Sequence, residues 1–324
     1  MNLVKRVTIH FMKFIDRIAH TRMYDFAMKL FIRIQFAIYF LRDGFRLKFE
    51  KDTVEVIKNK RKIIIAPKHL IYLVDLKNVF NYYFDSLVSD KLDHFEVLNF
   101  SKHKLHIYKK SNLSFYFTSL PEDEWEIGEY SHKYKPKRGD VIFDIGSYCG
   151  YSVYMFSKMV GPAGKVYAFE PDPENYRCLL GNVDLHNLKN VISIKKGIWS
   201  KIAKLKFFKE GNLGSSLKKM GYRSGNTETV VVDVTSLESA FKRLKLTHLD
   251  FIKMDIEGAE IEAIMGSLDF IKNHHLNFAI SCHHRNYRMT QTKLEPIFEK
   301  IGYKTKVKKI KYQNFSSYLL YAYK

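Results

Sequence analysis

The chain has 324 residues, 46% of them hydrophobic and 27% charged, which excludes a disordered chain and allows one sizeable core with an appended segment. Its net charge of +20 predicts an anionic partner (nucleic acid, an anionic membrane surface or a phosphorylated substrate), unless all proteins of the source are equally basic. Three cysteines without a C-x-x-C spacing disfavour a disulfide framework or a zinc site and indicate a reducing, cytoplasmic compartment.

Residues 1–48 are predicted to form a basic amphipathic helical segment. They carry ten Lys or Arg residues against three Asp residues, a net charge of +7. The most apolar stretch, Tyr24 to Leu41, contains Lys29 and Arg33. Inserting these two charged residues in a bilayer costs more free energy than insertion of the apolar residues provides. We therefore expect neither a transmembrane helix nor a signal peptide. Two interpretations stay open: peripheral contact with an anionic membrane surface, or a helix that packs on protein.

Residues 49–135 are predicted to form a small mixed, β-rich module that covers the mouth of the following domain. The β-rich runs are Thr53–Ile57, Lys62–Ala66, Phe95–Phe100, Lys104–Tyr108 and Leu113–Thr118. Leu70–Leu87 is predicted to be helical. Pro136–Gly139 is typical of a hinge into a new domain.

Residues 136–324 alternate strands with helices. The predicted strands are Asp140–Asp144, Lys165–Glu170, Val191–Lys195, Phe251–Met254, Asn277–Ser281, Thr305–Lys311 and Ser316–Tyr323. The predicted helices are Gly150–Val160, Asp172–Leu185, Gly258–Met265 and Thr290–Ile301. This order predicts an α/β fold with a doubly wound, mostly parallel sheet and an antiparallel C-terminal strand pair. Ligands of such sheets bind beyond the carboxyl ends of the strands, near the point where the strand order reverses.

The turn after the first of these strands is the strongest ligand signal. It contains Asp144, Gly146, Ser147 and Gly150 and leads into a helix. The two glycines would let a ligand approach the backbone, and the helix start offers free N–H groups. A carboxylate at the first position would repel a pyrophosphate and suits a cationic ligand. The turn is therefore predicted to bind the positive end of S-adenosylmethionine rather than a dinucleotide.

Glu170 gives the second signal, because it ends the second strand, 26 residues after Asp144, and precedes Pro171. An acid at this position can accept hydrogen bonds from both hydroxyls of a ribose. The alternative is a solvated acid before a helix start.

These segments resemble the FkbM-type methyltransferases. The resemblance is carried by Asp144-Ile-Gly-Ser-Tyr-Cys-Gly-Tyr-Ser152, Val166-Tyr-Ala-Phe-Glu-Pro-Asp-Pro173 and Phe251-Ile-Lys-Met-Asp-Ile-Glu-Gly-Ala-Glu260. It covers about two-thirds of the chain, from Pro121 onward. It implies a class I Rossmann-like methyltransferase fold, S-adenosyl-L-methionine as donor, and O-methylation, often of sugar hydroxyls. It also implies that Asp144, Gly146 and Gly150 line the methionine end and that Glu170 binds the ribose.

The sequence departs from that family at two places. After the third strand there is no acid for the adenine, so we expect the backbone at Gly197 and apolar packing, with Trp199 either at the adenine or in the core. After the fifth strand, His283 and His284 stand where many relatives have an acid.

The general base is sought among Asp255, Glu257, Glu260, His283 and His284. Asp255 follows the fourth strand directly and should face the transferred methyl. Of the two glutamates, one is expected to face the site and the other to steady the next helix. Asp255 and His283 fall short of a metal site, so no metal is expected.

Three functions remain. The first is an O-methyltransferase that acts on a hydroxylated small molecule or glycan. The second is a nucleic-acid methyltransferase, which the net charge favours but which lacks the Asn/Asp-Pro-Pro-aromatic motif for exocyclic amines. The third is a non-catalytic, membrane-associated protein that binds the cofactor.

Overall fold

A computed structural model of the chain describes residues 37–208, 229–282, 287–311 and 316–324. The chain divides into two compact units: residues 1–64 with 89–98 form unit 1, and residues 65–88 with 99–324 form unit 2. The boundary predicted at residue 136 therefore falls inside unit 2, because the residues on both sides of it pack into the same compact body.

The N-terminal helix is described only at its end. Residues 1–36 lie outside the described residues, and residues 37–41 are helical. The prediction of a helical segment to residue 48 is wrong at its end, because Gly44 adopts a left-handed conformation (φ 75°) and a strand begins at Arg46. In the described part of the chain, no helix combines the length and apolar character needed to cross a membrane.

Unit 1 is built on a five-stranded sheet in the spatial order β1-β2-β3-β5-β4. The strands are β1 (Arg46–Phe49), β2 (Val54–Lys58), β3 (Arg61–Ile65), β4 (Asp90–Leu92) and β5 (Phe95–Phe100). Alternate residues of β2, Val54 and Val56, are buried, as expected for a strand with one covered face.

The first part of unit 2 contains a 3-10 helix, two α-helices and a hairpin. A 3-10 helix (Pro67–Tyr72) leads into α1 (Leu73–Ser86), followed by β6 (Lys104–Ile107), β7 (Ser114–Phe117) and α2 (Glu124–Tyr130). β6 and β7 pair antiparallel.

Seven strands form the main sheet of unit 2, in the order β10-β9-β8-β14-β15-β17-β16. They are β8 (Val141–Ile145), β9 (Lys165–Phe169), β10 (Val191–Ile194), β14 (Phe251–Met254), β15 (Asn277–Ser281), β16 (Lys304–Lys311) and β17 (Ser316–Tyr323). The first five strands in this order run parallel, and β17 runs antiparallel to both of its neighbours, β15 and β16. The predicted doubly wound, mostly parallel sheet is confirmed, and its order reverses between β8 and β14.

The helices that follow these strands cover the sheet. They are α3 (Tyr151–Val160), α4 (Pro173–Leu185), α5 (Leu237–Arg243), α6 (Glu260–Met265), α7 (Leu268–Asn273) and α8 (Tyr287–Lys300). β8 and β14 are buried along their whole length, as is typical of central parallel strands. Their polar members, Asp144 and Lys253, are therefore placed inside the molecule.

A smaller sheet, which the sequence analysis does not predict, lies between β10 and β14 in the sequence. Its order is β11 (Gly197–Ile198), β13 (Thr229–Thr235) and β12 (Ala203–Phe208). In β12, Leu205 and Phe207 pack into a small core while Lys204 and Lys206 point outward, an alternation that is typical of a strand.

The β6–β7 hairpin is fixed to α4 through Asn182. The Asn182 side chain donates to the Tyr116 carbonyl and accepts from the Tyr116 N–H, both at 2.8 Å, as a neighbouring strand would. Segments that precede the α/β residues therefore pack directly on the helices of the predicted site.

Candidate active site

The loop between β8 and α3 follows the carboxyl end of a central strand. Gly146, Tyr148 and Gly150 all have positive φ angles, of 77°, 48° and 92°. A Cβ on Gly146 would lie 1.8 Å from the carbonyl oxygen of Asp255, and one on Gly150 would lie 2.5 Å from Leu179 Cδ1. The backbone contact therefore requires a glycine at position 146, and the positive φ angle favours one at position 150, in addition to the predicted approach of a ligand.

Glu170 holds this loop from the side of β9. Its side chain is 5% exposed, and its two oxygens accept the N–H groups of Tyr148 and Asp172, both at 2.9 Å. The solvated alternative is thus wrong, and Asp172, after Pro171, caps helix α4 instead. Burial, with a contribution from Asp172, raises the pKa of Glu170 to about 8.

Each oxygen of Glu170 retains a second lone pair. The carboxylate is rigid and lies beside the loop, which is the arrangement needed to accept hydrogen bonds from two adjacent hydroxyls. The geometry therefore fits the ribose role that the sequence analysis predicts.

Asp144 pairs with a positively charged side chain of the protein itself. The register of β8 and β14 places Asp144 opposite Lys253, and Lys253 Nζ lies 3.2 Å from Asp144 Oδ1. Asp144 Oδ2 accepts the Ser152 hydroxyl at 2.6 Å, and the side chain is fully buried. Asp144 therefore contacts Lys253 and Ser152, and its predicted role at the cofactor stays a prediction.

Lys253 links the sheet to the loop. Its ammonium group also donates to the carbonyl oxygen of Gly146 at 2.6 Å. Burial lowers the pKa of Lys253, but Asp144, Asp255 and Glu122 raise it by more, so the group stays charged. Ser147, also buried, donates its hydroxyl to the Asp144 carbonyl at 2.8 Å and closes the turn.

Asp255 lies where β14 ends, directly against Gly146. Its Oδ2 accepts the hydroxyl of Tyr130 at 2.9 Å. Tyr130 ends helix α2 and is 2% exposed, so it orients the carboxylate from outside the main sheet.

Sequence reasoning missed three members of this site: Lys253, Glu122 and Tyr130. A lysine at the position of a buried strand that pairs with Asp144 is a signal that could have revealed the first. Glu122 and Tyr130 precede the α/β pattern in a short acidic and aromatic stretch, and no sequence spacing connects them to it.

Of the two glutamates after Asp255, one takes the structural role that was predicted for one member of the pair. Glu260 is fully buried, and its Oε1 accepts the N–H groups of Ile256 at 3.1 Å and Gly258 at 3.3 Å, which steadies the turn before α6. Glu257 is half-buried with a φ of 54°, an unfavourable conformation for a non-glycine residue, and it stays a candidate for the site.

The remaining predicted residues lie apart from this network or outside the described residues. Gly197 is buried in β11, where it pairs with Val234, and Trp199 packs on the small core of β12 and β13, which favours its structural role. His283 and His284 lie outside the described residues. Among the residues that are described, no cluster of three or more His, Cys, Asp or Glu side chains could hold a metal ion.

The comparison with known protein families matches the α/β part of the chain. A model of the methyltransferase FkbM domain matches residues 144–305, which is half of the chain. No curated protein matches the sequence.

The solved structures that are similar to this chain include the three that follow. Methyltransferase FkbM from Methylobacillus flagellatus KT has a TM-score of 0.45 and 18% identity, over 60% of this chain and 46% of that one. M. jannaschii TYW2 in complex with AdoMet has a TM-score of 0.42 and 16% identity, over 85% and 98%. Aeropyrum pernix fibrillarin with natively bound S-adenosyl-L-methionine has a TM-score of 0.40 and 14% identity, over 70% and 99%. The chain thus spans less than half of the Methylobacillus protein.

The reversed strand order, the loop after β8 and the buried acid after β9 define a class I Rossmann-like, S-adenosylmethionine-dependent methyltransferase. The chain belongs to the FkbM methyltransferase family. The predicted family, fold class, enzyme class and cofactor are confirmed.

Proposed function

We propose that this chain transfers the methyl group of S-adenosylmethionine to a hydroxyl oxygen of a sugar, glycan or related small molecule. The observation that carries the proposal is Asp255, a carboxylate at the carboxyl end of β14. Tyr130 holds one of its oxygens, and its backbone lies against Gly146 of the cofactor loop.

The residues present fit the cofactor. Glu170 offers two fixed oxygens for the ribose, and the carboxyl groups of Asp144, Asp255 and Glu122 interact with the ammonium group of Lys253. A buried cluster of acids favours a ligand with a positive charge. When bound, S-adenosylmethionine supplies an electrophilic methyl group on a cationic sulfur.

The protein aligns the acceptor with the cofactor, and it accepts the proton that the acceptor loses. In-line displacement depends on alignment of the acceptor oxygen with the carbon–sulfur bond, which a fixed loop and a fixed ribose contact favour. Asp255 would accept the hydroxyl proton as the oxygen–carbon bond forms. Glu257 and His283 or His284 are the other candidates for this base.

A nucleic-acid acceptor is the second candidate, favoured by the net charge of +20. The segment after β14 reads Asp-Ile-Glu-Gly, which supports a hydroxyl rather than an exocyclic amine.

The test uses labelled S-adenosylmethionine with fractionated glycans, lipids and RNA, and locates the methyl by mass spectrometry. We expect it on a hydroxyl oxygen. Asp255→Asn should lower the single-turnover rate by about 100-fold or more, a larger effect than any loss of cofactor affinity. Asp233→Asn, at an exposed site on β13, is the matched control. A methyl group on a nucleobase nitrogen would overturn the proposal, and a full rate in Asp255→Asn would move the base to Glu257 or the histidines.

A further inference from the structure

Tyr148 keeps a large side chain in a left-handed backbone conformation within the cofactor loop (residues 146–150). Its φ angle is 48°, and the other two residues of the loop with positive φ angles are glycines, Gly146 and Gly150. A bulky side chain makes this conformation unfavourable, so it persists only where the surrounding structure fixes it. The contacts of Tyr148 therefore determine the shape of the loop.

Two sets of contacts fix Tyr148, one through its backbone and one through its side chain. The N–H donates to Glu170 Oε2 at 2.9 Å. The side chain is 4% exposed, and its hydroxyl donates to the carbonyl oxygen of Leu120 at 3.1 Å and accepts the Thr118 hydroxyl at 3.3 Å. Its ring stacks on Phe117, with 6.1 Å between the ring centroids. Tyr148 therefore joins the acid of the predicted ribose site to a segment that precedes the family match.

Residues 120–123, the anchor segment, are held in turn by tyrosine hydroxyls from other elements. Besides Tyr148, three tyrosines each donate a hydrogen bond to one residue of this segment: Tyr83 to the Pro121 carbonyl at 3.2 Å, Tyr108 to the Glu122 carbonyl at 2.6 Å and Tyr82 to Asp123 Oδ1 at 2.6 Å. Tyr82 and Tyr83 lie on α1, and Tyr108 follows β6. The anchor segment is therefore fixed by parts of the chain other than the cofactor loop, and it can serve as a rigid support for Tyr148.

We propose that Tyr148 is a positioning residue for donor binding: its hydroxyl bond to the anchor segment holds the cofactor loop in the left-handed conformation that directs the Tyr148 N–H to Glu170. The carboxyl group of Glu170 is thereby oriented before the ribose arrives, and an ordered site loses less conformational entropy on binding. The inference rests on ribose binding by Glu170, within the proposed function, and does not depend on the acceptor. It predicts that the hydroxyl of Tyr148 affects cofactor affinity, and that it does so through Glu170.

Calorimetric titration of the full chain with S-adenosylhomocysteine measures the effect on affinity. Tyr148→Phe removes the hydroxyl and keeps the ring, and we expect it to weaken binding by about 5-fold. Tyr303→Phe is the matched control, because Tyr303 is 3% exposed and also donates its hydroxyl to backbone carbonyls, those of Ile271 at 3.0 Å and His274 at 3.1 Å. These bonds lie near the amino end of β15, at the opposite edge of the sheet from the cofactor loop. The control variant should lower stability but keep the affinity within about 2-fold.

A double-variant cycle tests whether the effect passes through Glu170. In the Glu170→Ala background, Tyr148→Phe should weaken binding by less than about 2-fold, because the group that it positions is absent. A hydroxyl that only stabilises the fold would weaken binding by the same factor in both backgrounds, and that result would overturn the inference. Parent affinity in Tyr148→Phe would also overturn it and would leave the proposed function intact.

A second measurement decides the matter if Glu170→Ala does not fold or does not bind. S-adenosylhomocysteine and its 2′-deoxy analogue differ by one of the hydroxyls that Glu170 would accept. The parent should prefer the hydroxylated ligand, and Tyr148→Phe should reduce that preference by about 3-fold or more. An unchanged preference would contradict the positioning role. Failure of S-adenosylmethionine and S-adenosylhomocysteine to bind the parent would overturn the donor assignment and this inference with it.

Discussion

At the scale of single residues, the site depends on charges placed inside the sheet. Lys253 and Asp144 are 2% and 0% exposed, and removing either partner would leave the other as an uncompensated buried charge. Such a pair contributes little net stability compared with apolar residues of similar size. Its effect here is positional, because Lys253 also bonds to Gly146 and so fixes the loop relative to β14.

The buried carboxyls predict how stability depends on pH. Glu122 and Glu170 have pKa values of about 8 in the folded chain, against an ordinary value of 4.5. The folded state therefore holds protons that the unfolded state has released, and the stabilisation present below about pH 4.5 is lost as the pH rises through about 8. In thermal unfolding without cofactor, we expect the melting temperature to fall by about 5 °C or more from pH 6 to pH 8.

The double variant Glu122→Gln/Glu170→Gln should show a clearly smaller decline, with Glu124→Gln as the reference. A melting temperature in the parent that rises over this range would contradict the assigned protonation states.

At the scale of elements, the loop between β8 and α3 is defined by contact with its neighbours. Gly146 packs against the backbone of Asp255, so the first and fourth parallel strands of the sequence are joined at their carboxyl ends. A shift of this loop would displace the base candidate together with the cofactor contacts.

Gly146→Ala should destabilise the fold by about 3 kcal/mol or more, because it adds a backbone clash at a positive φ. Gly181→Ala is the matched control: Gly181 lies within α4 with nothing near its Cβ position, so the change should stabilise the protein by up to about 1 kcal/mol. Urea unfolding of both variants provides the measurement. A Gly146→Ala protein as stable as the parent would show that the loop does not pack as described.

The sequence predicted the elements of the main sheet because their patterns are local. The bounds of β14 and β15 agree with the prediction, and buried runs between helices determine a parallel order. Tyr130 and Glu122 were not predicted, because their contacts to Asp255 and Tyr151 join residues 125 and 29 positions apart. The pairing of Lys253 with Asp144 depends on strand register, which only the assembled sheet determines.

At the scale of the whole molecule, a basic segment precedes the donor site. Residues 1–48 carry +7 of the net charge of +20, and the family match begins only at residue 144. We propose that this N-terminal segment binds anionic membrane surfaces reversibly and does not contribute to cofactor binding.

Co-sedimentation with vesicles tests this proposal. The full chain should bind vesicles that contain anionic lipid at low salt and dissociate at moderate salt, because screening weakens the attraction. A chain without residues 1–36, which keeps β1 intact, should bind less and keep its cofactor affinity. Equal binding of both forms would favour a helix that packs on protein.

The central claim is that the loop after β8 and the acid after β9 hold S-adenosylmethionine, and calorimetric binding tests it most directly. The parent should bind S-adenosylmethionine and S-adenosylhomocysteine but not NAD. Glu170→Gln should weaken both by about 10-fold or more, because an amide NH2 replaces one of the two oxygens that face the ribose hydroxyls. Glu174→Gln, which removes the charge that pairs with Lys68 at 3.2 Å, should keep the parent affinity. Unchanged affinity in Glu170→Gln, or binding of NAD instead, would contradict the account.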